Sequence, residues 1–77
     1  MKATELQVAA LIHKVCPRVT IDESGFDAAF KDFDIDSLDV AGIFLEIADV
    51  FDVLVPDDEI DGLSTVRKLT ARLNQAT

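Results

Sequence analysis

The sequence predicts an all-α fold of three principal helices and one short helix, with a long loop between the first and second. Three observations lead there. Apolar residues recur at the 3.6-residue period of an amphipathic helix in separate stretches near residues 5–16, 36–51 and 65–73. The one β-like run, Val53-Leu54-Val55, is too short to stand as a strand with no second strand to pair with. A chain of 77 residues is expected to be one small domain, residues 1–77, without room for a second.

Taken in order, Leu6, Ala9, Ala10 and His13 with Val8, Leu11, Ile12 and Val15 make the first helix. Thr4 is its N-cap, Gln7 three residues on completes a capping-box pattern, and Pro17 ends it, so the helix should run from Glu5 to Cys16. From Arg18 to Ile35 no long period survives, because Ser24, Gly25 and alternating aspartates interrupt it. Phe26, Phe30 and Phe33 should pin this loop to the core, with one helical turn near Asp27 to Lys31. Asp36 opens the clearest helix, with Leu38, Ala41, Leu45 and Ala48 on one stripe and Val40, Phe44, Ile47 and Phe51 on the next. Such a helix is apolar over more than half its circumference. It must be covered by several neighbours or expose an apolar strip. After the Val53–Val55 loop and Pro56, the run Asp57-Asp58-Glu59-Ile60 suits a short helical turn that Gly62 ends. Ser64 or Thr65 then caps a last helix with Val66, Leu69 and Leu73 inward and Arg67, Lys68 and Arg72 outward.

Hydrophobic residues form 49% of the chain, enough for a core and too many for a disordered acidic tail. One cysteine, Cys16, and one histidine, His13, can make neither an internal disulfide nor a four-ligand zinc site. Seven basic against fifteen acidic residues give a net charge of −8, which opposes nucleic-acid binding, since neutralising phosphates takes clustered Lys and Arg. The longest strictly apolar run, Val8 to Ile12, is short of a signal-peptide core and of a membrane span, so the expected location is cytoplasmic. Charge is also segregated. Residues 1–20 carry +2, residues 21–61 carry −13 and residues 62–77 carry +3, which directs the search for partners to the middle.

Asp32, Asp34 and Asp36 imitate the opening of a calcium loop, where alternate carboxylates converge on the ion. The remainder of that pattern fails: Ser37 stands where the loop needs glycine and Ile43 where it needs a bidentate Glu. His13 and Cys16 lie three apart, but nothing basic or glycine-rich surrounds them to activate a thiol, so a half-buried histidine and a small core cysteine are expected. No nucleophile elbow, phosphate-binding glycine loop or His-Glu-x-x-His helix occurs, so the chain is not expected to be an enzyme. Ser37 stands at the start of the long helix between Asp36 and Asp39. Two roles fit it: a cap for free backbone N–H groups, shared with Asp36, or the bearer of a phosphodiester that those amides and the helix dipole would favour.

Asp36-Ser37-Leu38-Asp39, the apolar helix ending at Phe51, Val55-Pro56-Asp57 and Leu63-Ser64-Thr65-Val66 together resemble the acyl carrier protein family. The likeness covers about Phe30 to Leu73, with Leu6 to Val15 matching the first helix more loosely. It implies a small four-helix bundle whose Ser37 carries a 4′-phosphopantetheine arm, delivered from coenzyme A by a separate phosphopantetheinyl transferase, with Asp36, Leu38 and Asp39 as the motif that presents it. It implies a monomeric carrier holding acyl groups as thioesters for fatty acid, lipid or polyketide synthesis. Partners would be acyl-transferring, ketosynthase or acyl-activating enzymes whose basic patches read Leu38, Asp39, Ala41, Gly42, Leu45, Glu46 and Asp49. An acyl chain would shelter between the long and the short third helix, lined by some of Phe33, Phe44, Ile47, Ile60, Leu63, Val66 and Leu69; as residues alone, all seven equally suit a filled core.

The family usually has glycine where this chain has Asp34, glutamate at Gly42 and an acid at Ala48, which suggests a specialised carrier. Two other readings stay open. A peptidyl or aminoacyl carrier shares the serine and arm but usually has glycines before the motif, where Asp34 and Ile35 stand here; an unmodified acidic adaptor needs no serine.

Overall fold

The computed structural model describes residues 3–75, and among them the chain forms four α-helices and no strand: α1 (Glu5–Val15), α2 (Ser37–Phe51), α3 (Asp57–Ile60) and α4 (Val66–Gln75). The all-α bundle expected from periodicity is the fold observed. Helix α1 packs on both α2 and α4. It opens with a complete capping box, in which the Gln7 N–H donates to Thr4 Oγ1 and the Gln7 side chain accepts from the Thr4 N–H, both at 3.1 Å. It closes one residue earlier than the sequence suggested, because Cys16 is the C-cap, its N–H reaching Ile12 O at 2.7 Å ahead of Pro17.

The loop between α1 and α2 departs from expectation. The single turn placed near Asp27 to Lys31 is replaced by two 3₁₀ turns, Glu23–Gly25 and Phe30–Phe33. Backbone groups at both ends of the expected turn are engaged elsewhere: Phe26 O accepts from the Arg67 N–H at 3.0 Å and the Phe30 N–H donates to Ser64 O at 2.8 Å. These bonds lash the loop to the start of α4. Phe26 and Phe30 are buried as anchors, and Phe33 is half-buried. Gly25 sits under the Phe33 ring, where a Cβ would lie 2.9 Å from its tip, so a larger residue there would have to push the ring aside. At α4 the cap choice resolves to Thr65, whose Oγ1 accepts from the Lys68 N–H at 3.1 Å.

The two stripes of α2 part company. Ile43, Phe44 and Ile47 are buried with Val40 and Phe51 packed beside them, whereas Leu38 and Leu45 are 81% and 73% exposed. The helix therefore keeps an apolar strip in solvent. Val53 is buried and Leu54 projects outward at 84% exposure, so the short apolar run is a loop packed on the core. Asn74 ties α4 to the segment just ahead of α1, accepting from Ala3 N–H at 2.7 Å and donating to Ala3 O at 3.1 Å.

Candidate functional site

The approach to α2 is a tight reversal. Asp34 takes the left-handed conformation, φ 60°, its N–H directed at Lys31 O and Phe30 O, and the Ile35 N–H returns to Phe30 O at 3.2 Å. Ile35 is buried and fixes the turn to the core. Asp36 is the N-cap: its backbone is extended, its Oδ1 accepts from the Asp39 N–H at 2.9 Å, and its carbonyl accepts from the Val40 N–H. Of the two capping candidates, Asp36 performs the task. Ser37, the first helical residue, is left exposed, and no described residue hydrogen-bonds its hydroxyl.

A residue that sequence reasoning did not single out reaches this turn from the other side. Arg18 Nη2 donates to Asp34 O at 2.6 Å and to Asp39 Oδ2 at 2.9 Å. The guanidinium holds the Asp39 carboxyl below the usual carboxylate range, and the same contact raises Arg18 further. Cys16 lies buried beneath; burial first, then the Asp39 charge, push its thiol up, which disfavours a reactive thiolate. His13 is exposed, with Nδ1 2.8 Å from Val19 O, and forms no dyad with Cys16. Arg18 pairs across 16 and 21 positions of sequence, a separation with no local spacing to reveal it.

Two concavities flank Ser37 and the strip below it. A groove of about 340 Å³ is lined by Ser37 itself with Ala29, Phe30, Lys31, Ile35, Asp36, Val40, Ile60, Asp61 and Ser64. A second cleft of about 280 Å³ opens between α2 and α3, lined by Ala41, Phe44, Leu45, Ala48, Leu54, Val55, Asp57 and Ile60. Ile60 borders both. Of the seven residues expected to shelter an acyl chain, only Phe44 and Ile60 line the cleft. Ile47, Val66 and Leu69 are wholly buried core, and Phe33 and Leu63 are half-buried against that core. The reason is packing: these positions fill the interior of the bundle, and the cleft is walled instead by Ala48, Leu54 and Val55, which periodicity assigned to a stripe and a loop.

The seven positions expected to face partners also divide. Leu38, Ala41, Leu45 and Asp49 are exposed. Asp39 is tied to Arg18, and Glu46 to Lys14 Nζ at 2.7 Å, a contact that raises the lysine. Gly42 turns toward α1, where a Cβ would meet Val15 Cγ1 at 3.3 Å; it is a close-approach point between helices. The alternate aspartates do not gather: Asp36 caps α2, Asp34 makes the turn, and no group of three or more potential metal ligands converges among the described residues.

The Ser37 hydroxyl is exposed at the start of a helix and borders a groove open to solvent, so a group brought from outside can reach it. The residues present can accommodate a phosphodiester: the N-terminus of α2 favours an anion, Lys31 stands in the groove lining beside the carboxylates Asp36 and Asp61, and the groove gives space for a flexible arm. Residues 7–73 match the family model described as "Phosphopantetheine attachment site". The chain is similar to the acyl carrier protein of Rhodococcus erythropolis, 39% identical over 57 residues, an alignment that covers 74% of this chain and 58% of that protein. It is equally similar to the acyl carrier proteins of Streptococcus pyogenes serotypes M3 and M1, each 39% identical over 54 residues covering 70% of both partners. No solved structure gives a significant match. The chain belongs to the acyl carrier protein family, the phosphopantetheine-bearing carriers. Its prosthetic group is 4′-phosphopantetheine, and acyl carrier proteins are themselves non-catalytic. No helix among the described residues is long and apolar enough to cross a membrane.

Proposed function

We propose that this single domain, residues 1–77, is a cytoplasmic, monomeric acyl carrier whose arm is attached at Ser37. The observation that supports the site is the division of labour at the start of α2: Asp36 makes the cap bond, so the Ser37 hydroxyl is neither needed for folding nor engaged by any described neighbour. In the attachment step Ser37 Oγ bonds to the β-phosphorus of coenzyme A, the bond to the departing 3′,5′-adenosine bisphosphate breaks, and the hydroxyl proton passes to a base of the phosphopantetheinyl transferase. The attached arm supplies a terminal thiol that carries acyl groups as thioesters. Asp36 and Asp39 hold the first turn rigid, and Leu38 next to Ser37 offers an apolar anchor for a docking enzyme.

The cleft between α2 and α3 is where we place a short acyl chain, with Phe44 and Ile60 as its inner wall. Fatty acid, lipid or polyketide synthesis is the setting in which acyl-transferring, ketosynthase or acyl-activating enzymes with basic patches would read the exposed Leu38, Ala41, Leu45 and Asp49. The test is intact mass after incubation with coenzyme A, magnesium and a phosphopantetheinyl transferase. Wild type should gain the mass of one arm and Ser37→Ala none. A wild type left unchanged by two unrelated transferases would favour the unmodified adaptor, and loading by an amino-acid-activating enzyme would favour the peptidyl or aminoacyl carrier.

A further inference from the structure

We infer that Arg18 is a positioning residue for Ser37, acting through the two ends of the turn that presents it; this rests on Ser37 being the attachment site. The segment from Asp34 to Asp39 contains one residue in the left-handed region, one cap and the serine. Its cap bond, Asp36 to the Asp39 N–H, is local and fixes only the helical half. The carbonyl of Asp34, on the non-helical half, would otherwise face solvent. A single guanidinium nitrogen bridges the halves, bonding Asp34 O at 2.6 Å and Asp39 Oδ2 at 2.9 Å, with Ser37 between them. Arg18 comes from the segment after α1, so the bridge also ties the serine's turn to the body of the bundle. The two N–H groups of that one nitrogen serve a carbonyl and a carboxylate at once.

The pair is a surface one, with side chains 55% and 27% exposed, and such pairs add little to global stability. The effect belongs to geometry. A serine that wanders must be recaptured for each attack on phosphorus, a loss of positioning that lowers kcat more than docking along α2.

The experiment measures kcat and KM for transfer of the arm, with coenzyme A saturating and the carrier varied, for wild type, Arg18→Ala, Asp39→Asn, the double variant and Lys14→Ala. Lys14→Ala removes the same charge and the other α2 ion pair, to Glu46. The expected result is a roughly three- to tenfold fall in kcat for Arg18→Ala, with KM within about twofold and the melting midpoint nearly unchanged. Adding Asp39→Asn to Arg18→Ala should cost little more, because the two act through one contact. Unchanged kcat, an equal fall with Lys14→Ala, or losses that simply multiply in the double variant would each overturn the proposal. Where Arg18→Ala melts well below wild type, the same comparison is made with Arg18→Gln. Failure of wild type to be labelled at Ser37 would instead overturn the attachment site itself.

Discussion

Helix α2 is bracketed by two aspartates in the left-handed region, Asp34 before its cap at φ 60° and Asp52 after its last turn at φ 56°, and the two ends are built differently. The first is braced from outside the helix: Arg18 holds the Asp34 carbonyl, Asp36 caps, and Asp39 lies near the positive end of the helix dipole, where a carboxylate is favourable. The second is merely a stop. No basic residue stands in the last turn, and the Asp52 charge meets the negative end of the dipole. Left-handed aspartate is thus tolerated at both ends, but only the end that carries Ser37 is held by side chains from another segment. The bracing falls at the end that holds the proposed attachment site.

The largest effect is expected between the ends and sets the scale for them. Ile43→Ala, which empties a fully buried position, should cost about 2–5 kcal/mol and leave so small a domain largely unfolded in a denaturant titration. Asp36→Ala should cost about 1 kcal/mol through the lost cap, lowering the melting midpoint by several degrees and slowing arm transfer together. If stability falls without any change in transfer, the braced end does not serve Ser37.

Asp52→Gly should raise stability by about 0.5–1 kcal/mol, since glycine relieves the left-handed strain and the charge at the dipole's negative end disappears. Asp34→Gly relieves the same strain but removes a charge that sits near the favourable end, so a gain of only a few tenths of a kcal/mol is expected. Equal gains at both sites, read as melting midpoints, would erase the electrostatic difference between the ends. The smallest effect is on acid stability. Asp39 is held below its ordinary value of 3.8, so the folded state binds fewer protons there than the unfolded chain. Its stabilisation is complete above that ordinary value and is lost as pH falls through the lower folded one. Arg18→Ala should flatten the drop in melting midpoint below about pH 4, and an unaltered acid limb would show that the pair does not set the Asp39 titration.

Periodicity made the helices legible because each buries one side against neighbours, and caps such as Thr4 and Asp36 are local grammar. The loop from Arg18 to Ile35 was not legible in detail, since its turns follow from backbone bonds to Arg67 and Ser64 that are remote in sequence. Ile43 escaped notice as core because the buried arc of α2 is wider than the two stripes drawn on it. At the site, Ser37 and its cap stood out in sequence, while Arg18 did not. Which of the seven acyl-shelter candidates border the cleft was not legible either: apolar character alone does not separate a cleft wall such as Phe44 or Ile60 from filled core such as Val66. Gly42 belongs with these, its reason lying in Val15 on another helix.

The most direct test of the account is to locate the phosphodiester by fragmenting the modified chain, which has serines at 24, 37 and 64. Ser24 is committed to the Asp22 carboxylate and Ser64 is half-buried at the base of the loop, so all of the arm should map to Ser37. An arm found on Ser24 or Ser64, or distributed among the three, would contradict the claim that the start of α2 is built to present one hydroxyl.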